Sequence, residues 1–234
     1  MNESPSPTSE STNALLNKLR AAVLGANDGI VSTAAVVMGV AGATPDNQAI
    51  ATAGFAALIA GALSMAVGEY VSVSSQSDSE KSFIHREKKA LKRDPEGEEA
   101  QLAAYYESQG ASPETAKSVA AELSNSNALR AHLRMHFGID EDDLNSPVQA
   151  AVASLFAFTA GGLVPFLAVI LAPDTAKLPV TFCAVVLALA ITGYLSARAG
   201  NAHKGRAIVR LIIGGALAMG FTYAIGALFG TQLH

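Results

Sequence analysis

Asp28 and Glu69 are carboxylates set inside runs that are otherwise apolar. Asp28 stands between "AAVLGAN" and "GIVSTAAVVMGVAGA", and Glu69 between "GFAALIAGALSMAVG" and "YVSVSSQ". A carboxylate at bilayer depth costs about 3 kcal/mol or more unless something pairs with it, so it marks an ion or proton path by default. Ser32 lies one helical turn from Asp28, and Met65 one turn from Glu69. An Asp, a Glu, a hydroxyl and a thioether form a ligand set for a divalent metal of intermediate softness. Each residue also has a plainer reading. Glu69 can snorkel to the interface, Asp28 can cap a kink near Gly25 and Gly29, and Met65 can simply pack. Gly61, Ser64 and Gly68 form a small-residue face suited to close helix packing.

A second set of chemistry-bearing residues lies between 75 and 147, a polar stretch with nine Lys/Arg and fourteen Asp/Glu. At about 100° per helical residue, Glu80 and Glu87 fall about 20° apart. Glu96 and Glu107 are also about 20° apart, with Glu99 about 60° away and Glu98 on the other side. His132 and His136 are spaced i, i+4, with Met135 on the same broad face. Carboxylate, imidazole and thioether together suit a transition metal better than Ca²⁺ or Mg²⁺. The alternative is a solvated bundle of helices laced by Glu–Lys pairs. The acidic run Asp140–Asp143 lacks the Gly and the alternating spacing of an EF-hand loop, and is read as a solvated turn.

Enzymatic signatures are missing. The sequence contains no HExxH and no GxSxG, and its single Cys, Cys183, has no nearby His. The chain is therefore expected not to be an enzyme and to carry no prosthetic group. The rival readings are a membrane-anchored metal sensor and an intramembrane enzyme built on the Asp/Glu pair. Cys183 is read as a small core residue that cannot form an internal disulfide.

The elements that position these residues follow from hydropathy. Half of the 234 residues are apolar and only 15% are charged, against about 25% in soluble domains. Five segments near 20–43, 48–74, 148–172, 178–198 and 207–230 each approach the roughly 20 apolar residues a membrane span needs. The expected fold is an all-α membrane protein, with five transmembrane helices and a cytosolic helical insert between helices 2 and 3. The division is a disordered tail over 1–17, helices 1 and 2 over 18–74, the insert over 75–147, and helices 3 to 5 over 148–234. The tail is Ser/Pro-rich and acidic, without the features of a signal peptide.

Within the insert, the second span is expected to run on to about Lys92. Asp94-Pro95 and Ser112-Pro113 read as N-cap and first-turn pairs, and Gly110 and Gly138 as stops. A last short helix covers about 127–137. Lys/Arg-rich and Lys/Arg-poor loops alternate along the chain, which places the N-terminus and the insert in the cytosol and the C-terminus on the far side. Asp28 and Glu69 then sit at similar depth, roughly 12–14 Å in, on antiparallel helices. The net charge of −4 argues against a nucleic-acid partner. Short loops suggest a bacterial inner (plasma) membrane.

The segments "LRAAVLGANDGIVSTAAVVMGVAGA", "GALSMAVGEYVSVSSQSDSE" and "SPVQAAVASLFAFTAGGLVPFL" resemble the vacuolar iron transporter (VIT) family. That family is related to yeast vacuolar iron/manganese transporters and plant nodulin-like transporters. The resemblance covers nearly the whole chain after the tail. It implies five spans, a cytosolic metal-binding domain after the second, and a homodimer with its pathway near the subunit interface. It implies export of Fe²⁺, and often Mn²⁺, from the cytosol against protons. It also implies that Asp28, Met65 and Glu69 contribute to the pathway. For the insert it favours Glu80, Glu87, Glu96, Glu99 and Glu107, with His132 and His136 as further ligands.

Overall fold

A computed structural model of the chain describes residues 9–139 and 146–230, with side chains from residue 22 onward. Seven α-helices carry the described residues: α1 Ser9–Ala43, α2 Asn47–Arg93, α3 Pro95–Ser108, α4 Pro113–Phe137, α5 Pro147–Leu171, α6 Lys177–Ala199 and α7 Lys204–Gly230. A 3₁₀ turn, Asp174–Ala176, leads into α6. α1 begins inside the segment read as a tail, while residues 1–8 and the acidic run at 140–143 lie outside the described residues.

Five helices are long and apolar enough to cross a membrane: α1 from Ala22, α2, α5, α6 with its 3₁₀ lead-in, and α7. Their outer faces bear Phe156, Leu171, Leu187, Leu217 and Phe221, all more than 60% exposed. Water penalises an apolar surface of that extent, whereas lipid does not. The chain is an integral membrane protein.

The chain divides into two compact units, one of residues 1–70 and 147–234 and one of Val71–Ser146. In the first, α1 is the hub and packs along α5, α6 and α7. Ile30, Ala34 and Met38 recur every four residues on α1 and meet Val185 and Leu189 of α6 and Met219 of α7. On another face, Gly29 and Gly161 let α1 and α5 touch backbone to backbone. A Cβ on Gly161 would stand 2.0 Å from the Ala26 carbonyl oxygen, and one on Gly29 2.1 Å from that of Phe158. Lipid supplies no hydrophobic drive between helices, so such close packing is what holds them together. Side chains of α2 reach the same layer, with Ile50 against Val37 and Val169, and Leu58 and Ala62 against Phe158. At the connections, Asn47 donates to Asp174 at 3.0 Å and Lys177 pairs with Asp174 at 2.8 Å. On α6, Cys183 is exposed and not the core residue the sequence suggests, because a lipid-facing side of a span is as apolar as its packed side.

The second unit is polar, and its breaks follow local chemistry. The Asp94 carboxylate accepts from the Gly97 amide at 3.0 Å, with Pro95 in the first turn of α3. The Ser112 hydroxyl caps α4, again ahead of a Pro. Gly110 and Gly138 take positive φ, the left-handed geometry that ends a helix most cheaply on Gly. α4 is not uniform. Asn127 leaves helical geometry (φ −155°, ψ 83°), and its side-chain oxygen accepts from the Arg130 amide at 3.0 Å. A new helical start therefore sits where the sequence places the last short helix. Leu102 and Ala103 of α3 pack on Ala120 of α4, and Phe83 of α2 stacks on Phe137 at 4.5 Å.

Candidate metal centre

In the membrane unit, Asp28 is half-buried and accepts a 2.5 Å hydrogen bond from the Ser32 hydroxyl, one turn on. The hydroxyl fixes one carboxylate oxygen, Oδ1. Glu69 is also half-buried on α2. Met65, one turn before it, lies against the cluster of Leu58, Ala62 and Phe158. No hydrogen bond joins Asp28 to Glu69 among the described residues.

In the polar unit, four ionisable side chains converge from three helices. Glu87 comes from α2, Glu98 from α3, and His132 and His136 from the second half of α4, and each offers a ligand atom within 4.8 Å of the others. His132 Nδ1 is 3.2 Å from Glu87 Oε1 and 3.5 Å from Glu98 Oε2, and His136 Nε2 is 3.9 Å from Glu87 Oε1. Glu87, Glu98 and His132 are buried, while His136 opens to the surface. Among the described residues this is the one group of three or more His, Cys, Asp or Glu with metal-ligand spacing.

The cluster is unsatisfied as it stands. Glu87 Oε1 and both ring nitrogens of His132 are buried without a hydrogen-bond partner. The short approach of His132 to Glu87 lacks hydrogen-bond alignment. Each such atom costs about 1–3 kcal/mol, more when charged. Burial pushes the His132 pKa below its ordinary value, although Glu87 and Glu98 pull it upward. A neutral imidazole keeps its lone pair available. Metal–nitrogen and metal–oxygen bonds of about 2.0–2.2 Å put ligand atoms up to about 4.4 Å apart across an ion. The observed spacing therefore needs only small side-chain movements to close. Two imidazoles and two carboxylates suit Fe²⁺, Mn²⁺ or Zn²⁺ rather than the all-oxygen preference of Ca²⁺.

The structure brings Glu87, His132 and His136 together but not the other favoured acids. Glu96 and Glu107 are exposed, Glu99 is half-exposed, and Glu80 accepts from Gln76 at 2.8 Å. Glu98, read from helical angles as pointing away, is the residue that faces the histidines. The buried face of α3 is Glu98, Leu102 and Ala103. Spacing to its own Leu102, one turn on, was the signal that marked Glu98 as inward. The angles among the acids alone followed the solvent face instead.

The chain matches the model of the VIT family over residues 19–227. It is 39% identical over 220 residues to a "Vacuolar iron transporter" of Acanthamoeba castellanii, covering 91% of this chain and 79% of that protein. It is 37% identical to "Vacuolar iron transporter homolog 4" of Arabidopsis thaliana, covering 92% and 85%. It is 36% identical to "Vacuolar iron transporter homolog 2" of Oryza sativa subsp. japonica, covering 92% and 93%.

Proposed function

The chain belongs to the VIT family, and on that premise we propose that it carries Fe²⁺ out of the cytosol, with Mn²⁺ as a competing cargo, in exchange for protons. It is a transporter in this reading, not an enzyme, and the metal is cargo rather than cofactor. The observation that carries the proposal is the cluster of Glu87, Glu98, His132 and His136, an unsatisfied transition-metal ligand set in a chain with five membrane-spanning helices.

The polar unit collects the metal on the cytosolic side, and Asp28 and Glu69 hold it in transit. A carboxylate oxygen carries a proton or a metal, not both, and that mutual exclusion couples the two flows. Met65 lends a soft ligand beside Glu69. The alternation of Lys/Arg-rich and Lys/Arg-poor loops supports a cytosolic N-terminus and a C-terminus on the far side. Short loops favour a bacterial inner (plasma) membrane over the vacuole in the relatives' names, and membrane fractionation decides between them.

We place a second copy of the chain against α2. Phe55, Ile59, Leu63 and Val67 recur every four residues there and are 44–63% exposed. The partner then completes the surroundings of Glu69.

Purified protein in proteoliposomes tests the proposal. Fe²⁺ and Mn²⁺ flux should rise with an opposing pH gradient, and Asp28→Asn should remove the gradient dependence. Coupled flux that survives this substitution overturns the assignment of Asp28.

A further inference from the structure

A separate cavity of about 310 Å³ opens where α1, α6 and α7 meet, lined by Val23, Leu24 and Asn27 of α1, Ser196 of α6, and Arg210 and Leu211 of α7. No Asp or Glu lines it. Arg210 stands six residues inside α7, between Val209 and Leu211, and makes no ion pair among the described residues. Asn27 brings a buried side-chain oxygen without a hydrogen-bond partner. The stretch from Ser196 to Arg210 carries Arg198, Lys204 and Arg206 as well, and no acid. Leu24 is 57% exposed, and Arg210 is exposed as well.

The lining of this cleft thus combines a guanidinium, an amide and a hydroxyl with aliphatic side chains. A guanidinium binds phosphate through two parallel N–H···O bonds. Basic pockets between membrane helices recognise lipid headgroups in this manner. We propose that the cleft seats one anionic phospholipid. Its phosphate lies on Arg210, Asn27 and Ser196 offer partners to headgroup hydroxyls, and Val23, Leu24 and Leu211 supply the aliphatic wall. Free phosphate shares the headgroup chemistry but has no use for the aliphatic wall.

The test uses the full chain in neutral detergent, with phosphatidylglycerol and phosphatidylcholine of the same acyl chains as probes. Native mass spectrometry should retain one phosphatidylglycerol per chain, and thermal unfolding should move upward with phosphatidylglycerol and not with phosphatidylcholine. Arg210→Gln should weaken retention about tenfold, while Arg206→Gln, outside the cleft, keeps it. Ser196→Leu fills the cleft and should also remove retention, so the proposal stays testable if Arg210→Gln fails to fold. Equal retention of the two lipids overturns the proposal. So does an unchanged response in Arg210→Gln or Ser196→Leu. An equal shift with inorganic phosphate alone assigns the cleft to a soluble anion and overturns it too.

Discussion

Glu98 and His132 show how one side chain's surroundings decide its chemistry. Glu98→Gln keeps the shape of the site but removes a charge from the proposed ligand set. It should weaken Fe²⁺ or Mn²⁺ binding to the purified protein by about tenfold or more, about 1.4 kcal/mol, in a chelator-competition titration. Glu96→Gln, two residues away on the exposed side, should leave affinity unchanged. His132 predicts a pH dependence. Its folded pKa lies below the ordinary value because burial disfavours the imidazolium, so the unfolded chain takes up this proton first as pH falls. The neutral form's contribution is complete above about pH 6.5 and is lost on acidification through that value, until the folded-state pKa is reached. With chelator present, denaturation midpoints measured between pH 7.5 and 5 should fall less steeply in His132→Gln than in the unaltered protein.

At the scale of elements, the helices and their breaks were legible because each break is local. Asp94-Pro95 and Ser112-Pro113 pair a side-chain cap with a residue that tolerates only the first turn. The five spans were legible because about 20 apolar residues in sequence have few other uses. The i, i+4 pair of His132 and His136 announced a shared face. Which face of α3 meets them was not legible, because the rotation of that helix is set by Leu102 and Ala103 packing on Ala120, a contact across a loop. The same logic makes Asn127 a sensitive position. Its cap restarts α4 just ahead of both histidines. Asn127→Ala should cost about 1 kcal/mol of stability in chemical denaturation. It should also weaken metal binding, although residue 127 touches no ligand.

At the scale of the whole molecule, the proposed roles of metal capture and metal passage fall in different compact units, with the four-residue cluster in one and Asp28 and Glu69 in the other. Substitutions in the two should therefore have different kinetic signatures. Glu98→Gln should raise the metal concentration needed for half-maximal flux and spare the maximal rate. Asp28→Asn should abolish coupled flux and leave chelator-competition binding intact. A single variant that abolishes both would contradict this division of labour.

Cys183 is the only thiol in the chain, and it is exposed on α6. The unaltered protein is therefore a ready-made single-site spectroscopic probe. A nitroxide attached there gives one spin per chain, so any dipolar echo modulation reports a second copy. A homodimer should yield one narrow distance distribution that disappears on dilution with unlabelled protein, whereas a monomer yields only background decay.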